Sequence, residues 1–179
     1  MAIVQVHDKQ FETYIGSEAI QQRVAALGKQ ISADYEGKNP LLIGILNGSF
    51  VFAADLFRNI STEAEISFIK LASYKGTSST GNVITAIGME ESVTDRHVII
   101  VEDIVDTGKT LHAFLPDMIQ RQPASLSIAC FLSKPEALQY DISPKYVGFE
   151  IPNNFVVGYG LDYDGLGRNL PDLYTLVND

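Results

Sequence analysis

Cysteine is almost absent from the chain: the single Cys130 rules out an intrachain disulfide. It sits in the apolar run SLSIACFLS, where a small buried hydrophobe fits better than a nucleophile. Also missing are a basic segment followed by an apolar one at the N-terminus, MAIVQVHDKQFETYIG, and any unbroken apolar run of membrane-spanning length. These absences lead us to expect a protein that meets no membrane and works in the reducing cytoplasm. Positive charge is scarce too. Lys and Arg number 13 against 22 Asp and Glu, a formal net charge of -9, which excludes a broad nucleic-acid surface built on phosphate neutralisation. A small phosphate ester would have to be met locally, by backbone N–H groups, a few placed cations or a divalent metal.

What is present suffices for one compact core. A chain of 179 residues, 46% of them hydrophobic, leads us to expect a single domain spanning 1–179. Between Ser17 and Tyr35 the apolar residues Ile20, Val24, Leu27, Ile31 and Tyr35 recur at helical spacing, with Ser17 as N-cap and Gly37 as stop. PLLIGIL (40–46) reads as a strand buried on both faces, followed by the turn Asn47-Gly48-Ser49 and a helix from Phe50 to Asn59. AEISFIKLASY (64–74) and VITAIG (83–88) read as strands around the polar, glycine-rich loop KGTSSTGN (75–82). HVIIVED (97–103) is another buried strand, and Thr110 to Gln120 a helix that Pro116 should kink or shorten. SLSIACFLS (125–133), YVGFEIP (146–152) and FVVGYG (155–160) complete the strand candidates. Buried strands alternating with helices predict an α/β fold with a mainly parallel central sheet flanked by helices, its ligands lying beyond the carboxyl ends of the strands.

The stretch richest in chemistry is VIIVEDIVDTGKTL, Val98 to Leu111. Gly108 lets the backbone approach an anion, and the N–H groups opening the next helix favour a phosphate, together with the hydroxyls of Thr107 and Thr110. Glu102 and Asp103, at the strand end, are suited to accept hydrogen bonds from a ribose 2′,3′-diol. Asp106 is then left near the anomeric carbon as a general base or an electrostatic support for a cationic transition state. A Walker loop competes, since Gly108-Lys109-Thr110 matches its end. It fails at its beginning, where Asp103 stands in place of the first glycine.

Val98 to Leu111 resembles the phosphoribosyl-pyrophosphate motif of the type I phosphoribosyltransferases, in the form found in hypoxanthine-guanine phosphoribosyltransferases. The similarity runs from about Leu41 to Leu173 and includes VGFEIPNNFVVGYGLDYDGLGRNL, Val147 to Leu170, a more specific subfamily signature. The resemblance implies a small hood built from the terminal segments, and transfer of a phosphoribosyl group to a 6-oxopurine base with Mg²⁺ as cofactor. It also implies assembly into a homo-oligomer, dimer or tetramer.

Residue by residue, the resemblance assigns Glu102, Asp103, Asp106, Thr107, Gly108, Lys109 and Thr110 to the phosphate and ribose, with Asp106 catalytic. It gives the pyrophosphate to Leu46, Asn47, Gly48 and Arg168, implies a cis peptide between Leu46 and Asn47, and makes Ser73 and Tyr74 part of a lid at about 73–83. Many relatives carry lysine where this chain has Asn47. The base falls to Lys134, Phe155, Val156 and Asp162, and the metal to Glu102, Asp103 and Asp162. On the residues alone, Lys134 would be a surface lysine and Phe155 a core aromatic, while for Arg168 an unpaired surface arginine is the lesser alternative. The alternative of another class is a non-catalytic regulator that senses nucleotide or phosphoribosyl pyrophosphate on the same fold. Asp106, the lid, Lys134 and the acidic net charge favour the enzyme.

Overall fold

A computed structural model describes residues 2–74 and 83–177. The chain opens with a hairpin that hydropathy did not reveal, β1 (Ile3–Val6) and β2 (Lys9–Ile15). Helix α1 (Ser17–Asp34) follows and buries the stripe Ile20, Val24, Leu27 and Ile31. Then come β3 (Leu41–Leu46), α2 (Phe50–Arg58), β4 (Glu65–Tyr74), β5 (Val83–Ile87), β6 (His97–Val105), α3 (Lys109–Gln120), β7 (Ser125–Ser133), β8 (Tyr146–Glu150), β9 (Val156–Val157) and β10 (Leu173–Leu176). The central sheet has the order β5-β4-β3-β6-β7-β8, parallel from β4 to β8 with β5 antiparallel at the edge.

Period-two alternation decides which helix each strand residue meets. Leu42, Ile99, Val101, Ala129 and Phe131 pack with the apolar faces of α1 and α2. Their neighbours Leu41, Ile43, Ile45, Val98, Ile100, Ile128 and Cys130 pack instead with Leu111, Phe114 and Met118 of α3. Cys130 is fully buried, as expected. Pro116 lies inside α3, which nonetheless runs unbroken to Gln120.

The terminal segments pair with each other in a second, antiparallel sheet, β1-β2-β10-β9, built around Val6, Phe11, Val157 and Tyr174. This is the small hood. Of the expected strand 155–160 only Val156 and Val157 are extended, and they belong here rather than to the central sheet. Gly158, Tyr159 and Gly160 take φ of 106°, 48° and 101°, a left-handed run that no strand can contain. Another difference concerns β6, which continues to Val105 because Ile104 and Val105 still pair with Leu132 and Ser133. Glu102 and Asp103 therefore lie inside the strand rather than at its very end.

Ser17 is not the N-cap of α1. Gly16 holds that position, and the Ser17 N–H is bound from the far end of the chain by Asp172 Oδ1 at 2.6 Å. At the other end the helix stops at Asp34, and Gly37, with φ of 70°, lies beyond its cap. No helix of the described residues is long and apolar enough to cross a membrane. Asp172→Ala should lower stability by about 1 kcal/mol, as loss of a capping carboxylate does. The Ser17 N–H holds the Asp172 carboxyl below the usual aspartate range, so the contribution is full above that range and disappears as pH falls through the depressed value. Urea titrations of both proteins at pH 7 and near pH 3 should show the gap shrinking in acid.

Candidate active site

Beyond the carboxyl ends of β3 and β6 opens a cleft of about 400 Å³. Its floor is the turn from β6 into α3. Gly108 caps α3 with φ of 79°, and the first turn of α3 carries no acid, so its N–H groups face the cleft mouth without a competing carboxylate. The turn is buttressed from below. Thr107 accepts the Gln139 N–H at 3.0 Å, and a Cβ on Gly108 would meet Ile142 at 3.0 Å. Lys109 and Thr110 are exposed at the rim, and the Lys109 N–H reaches Thr107 Oγ1 at 3.3 Å.

The acids of β6 line the cleft unequally. Glu102 is buried (7% exposed), and Asp103 is half-buried with Oδ1 accepting the Ile104 N–H at 2.8 Å. Burial first, then the neighbouring Asp103, pushes the Glu102 carboxyl well above the usual range. Burial also raises Asp103, partly offset by the Ile104 N–H, then by its own backbone and by Arg168. Asp106, beyond the strand end, keeps a side chain 47% exposed toward the cleft.

The opposite wall comes from the turn after β3 and the left-handed loop of the hood. The Leu46–Asn47 peptide is cis, as the resemblance implies. Gly48 has no room for a side chain, since a Cβ would fall 1.5 Å from Asp103 Oδ2, and a Cβ on Gly160 would meet the Gly48 carbonyl at 2.3 Å. The two loops thus touch backbone to backbone. Arg168 is not an unpaired surface residue: it donates to the Gly160 carbonyl at 2.7 Å and to Asp162 Oδ1 at 2.7 Å. Asp162 Oδ2 in turn accepts the Gly165 N–H at 2.7 Å. Both side chains line the cleft.

Next to the cleft, and sharing Asp103, Asp106 and Asp162 with it, lies a slot of about 240 Å³ walled by Lys134, Phe155, Val156 and Leu161. Here the residue-only expectations reverse. Lys134 is 6% exposed, and Phe155 is 46% exposed rather than packed in the core. The Phe155 ring leans on Phe11 and meets the edge of Tyr163 with centroids 6.1 and 5.7 Å away, leaving one side open. Lys134 Nζ lies 3.5 Å from Asp106 Oδ2 and 3.4 Å from Asn153 Oδ1. Asn153 had no signal in the sequence; it reaches Lys134 because β8 pairs parallel to β7 with Glu150 opposite Ser133, so the two segments leave the sheet side by side. Ser73 and Tyr74 close β4, and the rest of the expected lid, 75–82, lies outside the described residues.

The arrangement offers an anion nest, a carboxylate at the nest's edge and a flat slot with one buried cation. Known proteins resemble this chain in sequence and fold. The phosphoribosyl transferase domain family matches residues 13–164. The hypoxanthine-guanine phosphoribosyltransferase of Lactococcus lactis is 43% identical over 92% of this chain and 90% of its own length. That of Streptococcus agalactiae is 46% identical over 90% and 91%. The crystal structure of a hypoxanthine-guanine phosphoribosyltransferase from Bacillus anthracis superposes with a TM-score of 0.85 at 40% identity, covering 93% of this chain and 98% of that one. The chain belongs to the type I phosphoribosyltransferases, in the hypoxanthine-guanine phosphoribosyltransferase family.

Proposed function

We propose that the chain transfers the 5-phosphoribosyl group from phosphoribosyl pyrophosphate to a 6-oxopurine, hypoxanthine first and guanine second, giving IMP or GMP and pyrophosphate in purine salvage. The observation that carries this is the buried Lys134 facing a half-exposed Phe155 across a slot that opens on Asp106. An ammonium in that place demands an acceptor on the ligand, which the O6 of hypoxanthine and guanine supplies. Adenine presents an amino donor instead. Losing a charged hydrogen bond of about 1.5–3 kcal/mol and gaining a donor–donor clash rejects it.

The substrate's 5′-phosphate takes the nest at 106–110, where the backbone of Thr107 and Gly108, the Thr107 and Thr110 hydroxyls and Lys109 replace its hydration. Its diol faces Glu102 and Asp103, and its diphosphate extends toward Leu46, Asn47, Gly48 and Arg168. Phosphoribosyl pyrophosphate enters first, and the base then stacks on Phe155 with its edge against the Val156 backbone. As the bond from C1′ to pyrophosphate lengthens, Arg168 stabilises the departing charge and the sugar becomes oxocarbenium-like. Purine N9 attacks from the opposite face while Asp106 manages the proton at N7. A lid at 73–83 and a homo-oligomer of two or four copies in the cytoplasm complete the reading.

Mg²⁺ fits the residues in a restricted way. No three or more His, Cys, Asp or Glu side chains converge into a metal cage among the described residues. Glu102 and Asp103 nonetheless form a carboxylate pair whose burial no cation fully offsets. Mg²⁺ requires few protein ligands when a diphosphate and waters supply the remainder, so Glu102, Asp103 and Asp162 would hold it directly or through water. When bound, it neutralises charge on the diphosphate and so helps that group to leave.

Two measurements test this. Incubation with phosphoribosyl pyrophosphate, Mg²⁺ and each of four purines separately should give nucleotide from hypoxanthine and guanine, and none above background from adenine; equal use of adenine contradicts the role of Lys134. In the same assay Asp106→Asn should lower kcat on the order of a hundredfold, by more than any rise in KM. The second measurement concerns Glu102. Its raised carboxyl pKa costs nothing at a pH where the group is protonated both folded and unfolded, and the cost grows as pH rises toward the folded value. In metal-free buffer at pH 7, Glu102→Gln should therefore be more stable than wild type by about 1 kcal/mol while transferring phosphoribose poorly. Melting curves should show the gap closing toward pH 4.

A further inference from the structure

The side chain that discriminates 6-oxopurines is itself held by a residue with no role so far. Lys134 Nζ has three protons to donate. Among the described residues it has two side-chain acceptors, Asp106 Oδ2 at 3.5 Å and Asn153 Oδ1 at 3.4 Å. Both contacts are long for hydrogen bonds to an ammonium. The side chain is only 8% exposed, so it cannot turn outward for water. Its position is the balance of two weak pulls in a confined space.

The two acceptors are not equivalent. Asp106 sits on the turn after β6 and serves the reacting sugar and base; a tight ion pair with Lys134 would tie up both groups. Asn153 belongs to the exposed segment after β8 and borders a separate surface hollow with Phe155, Thr175 and Leu176. Its neutral oxygen draws the ammonium away from Asp106 without neutralising it, leaving a proton for a ligand carbonyl. A carboxylate at 153 would pair with the lysine outright, and an apolar residue would release it to Asp106.

We infer that Asn153 is a positioning residue for 6-oxopurine recognition: it acts through Lys134, holding the ammonium off Asp106 and presented to the base. This rests on the slot being the purine site. Because Asn153 is exposed and makes no contact with the cleft of the nest, the effect should fall on the base and not on phosphoribosyl pyrophosphate.

The test is a double-mutant cycle read by IMP binding in calorimetry, with steady-state kinetics alongside. Asn153→Ala should weaken IMP binding about five- to tenfold, the scale of one ordinary hydrogen bond, as its long contact to Lys134 implies. In a Lys134→Gln background the same change should weaken it less than about twofold, because the residue through which Asn153 acts is gone. The KM for hypoxanthine should rise in step with the first loss while that for phosphoribosyl pyrophosphate and the melting temperature stay near wild type. Equal losses in both backgrounds, no loss in the first, or parallel rises in both KM values would overturn the inference and leave the purine slot standing. Failure of the wild-type protein to bind IMP would instead remove the reading of the slot, and the inference with it.

Discussion

The site depends on where one parallel ladder stops. β6 and β7 run in register to Val105 and Ser133, and the ladder is closed by the Lys134 N–H donating to the Val105 carbonyl at 2.9 Å. The next residue on one strand is Asp106 and on the other Lys134. That single hydrogen bond therefore puts Asp106, at the edge of the α3 nest, beside the buried cation of the adjoining slot, although the two lie 28 positions apart in sequence. A parallel pair leaves both strands at the same end of the sheet, so the chemistry of two different loops must meet there. A shift of register by one residue would turn Lys134 to the other face and separate nest from slot.

A chain of net charge -9 that handles polyanions faces a conflict, and the cleft shows how it is arranged. The cleft is lined by Glu102, Asp103, Asp106 and Asp162 against two cations, Lys109 and Arg168. Arg168 is already engaged by Asp162. Side-chain charge alone would repel a diphosphate. Backbone N–H groups at the α3 terminus supply attraction that leaves no trace in a charge count, and the proposed Mg²⁺ would add to it. The acids are in turn suited to a sugar, whose hydroxyls donate to them. Local geometry thus supplies what net charge lacks.

Much of this was legible before any coordinates. The apolar runs at 40–46, 97–103 and 125–133 announced buried strands, and Thr107-Gly108-Lys109 announced a helix-opening nest, because these features are encoded within a few consecutive residues. Other features were not local. β1, β2 and β10 are short, partly exposed strands whose pairing joins the two ends of the chain, and alternation over four residues in Ile3–Val6 carries too little signal. Ser17 looked like a cap because of its type, yet the capping oxygen comes from Asp172. Lys134 and Phe155 were mistaken in opposite directions when read by type alone. Burial follows polarity on average, and both residues depart from it in the same slot.

That shared departure carries the strongest argument for where function lies. A buried lysine, a half-exposed phenylalanine and two carboxylates raised by burial each oppose folding stability, and all four line two adjoining cavities. Elsewhere the sheet is covered on both faces by fully buried aliphatic and aromatic side chains, and Tyr146 and Tyr159, deep in the core, give their hydroxyls to Asp34 and Asp55 at 2.6 and 2.7 Å. The described core obeys the rules that hold a fold together, and the cleft breaks them. A group that costs stability where it stands is suited to a partner from outside the chain. The phosphorylated sugar and flat oxo-base proposed for this site would provide those partners together: donors for the acids, charge for the nest, a face for Phe155 and an acceptor for Lys134.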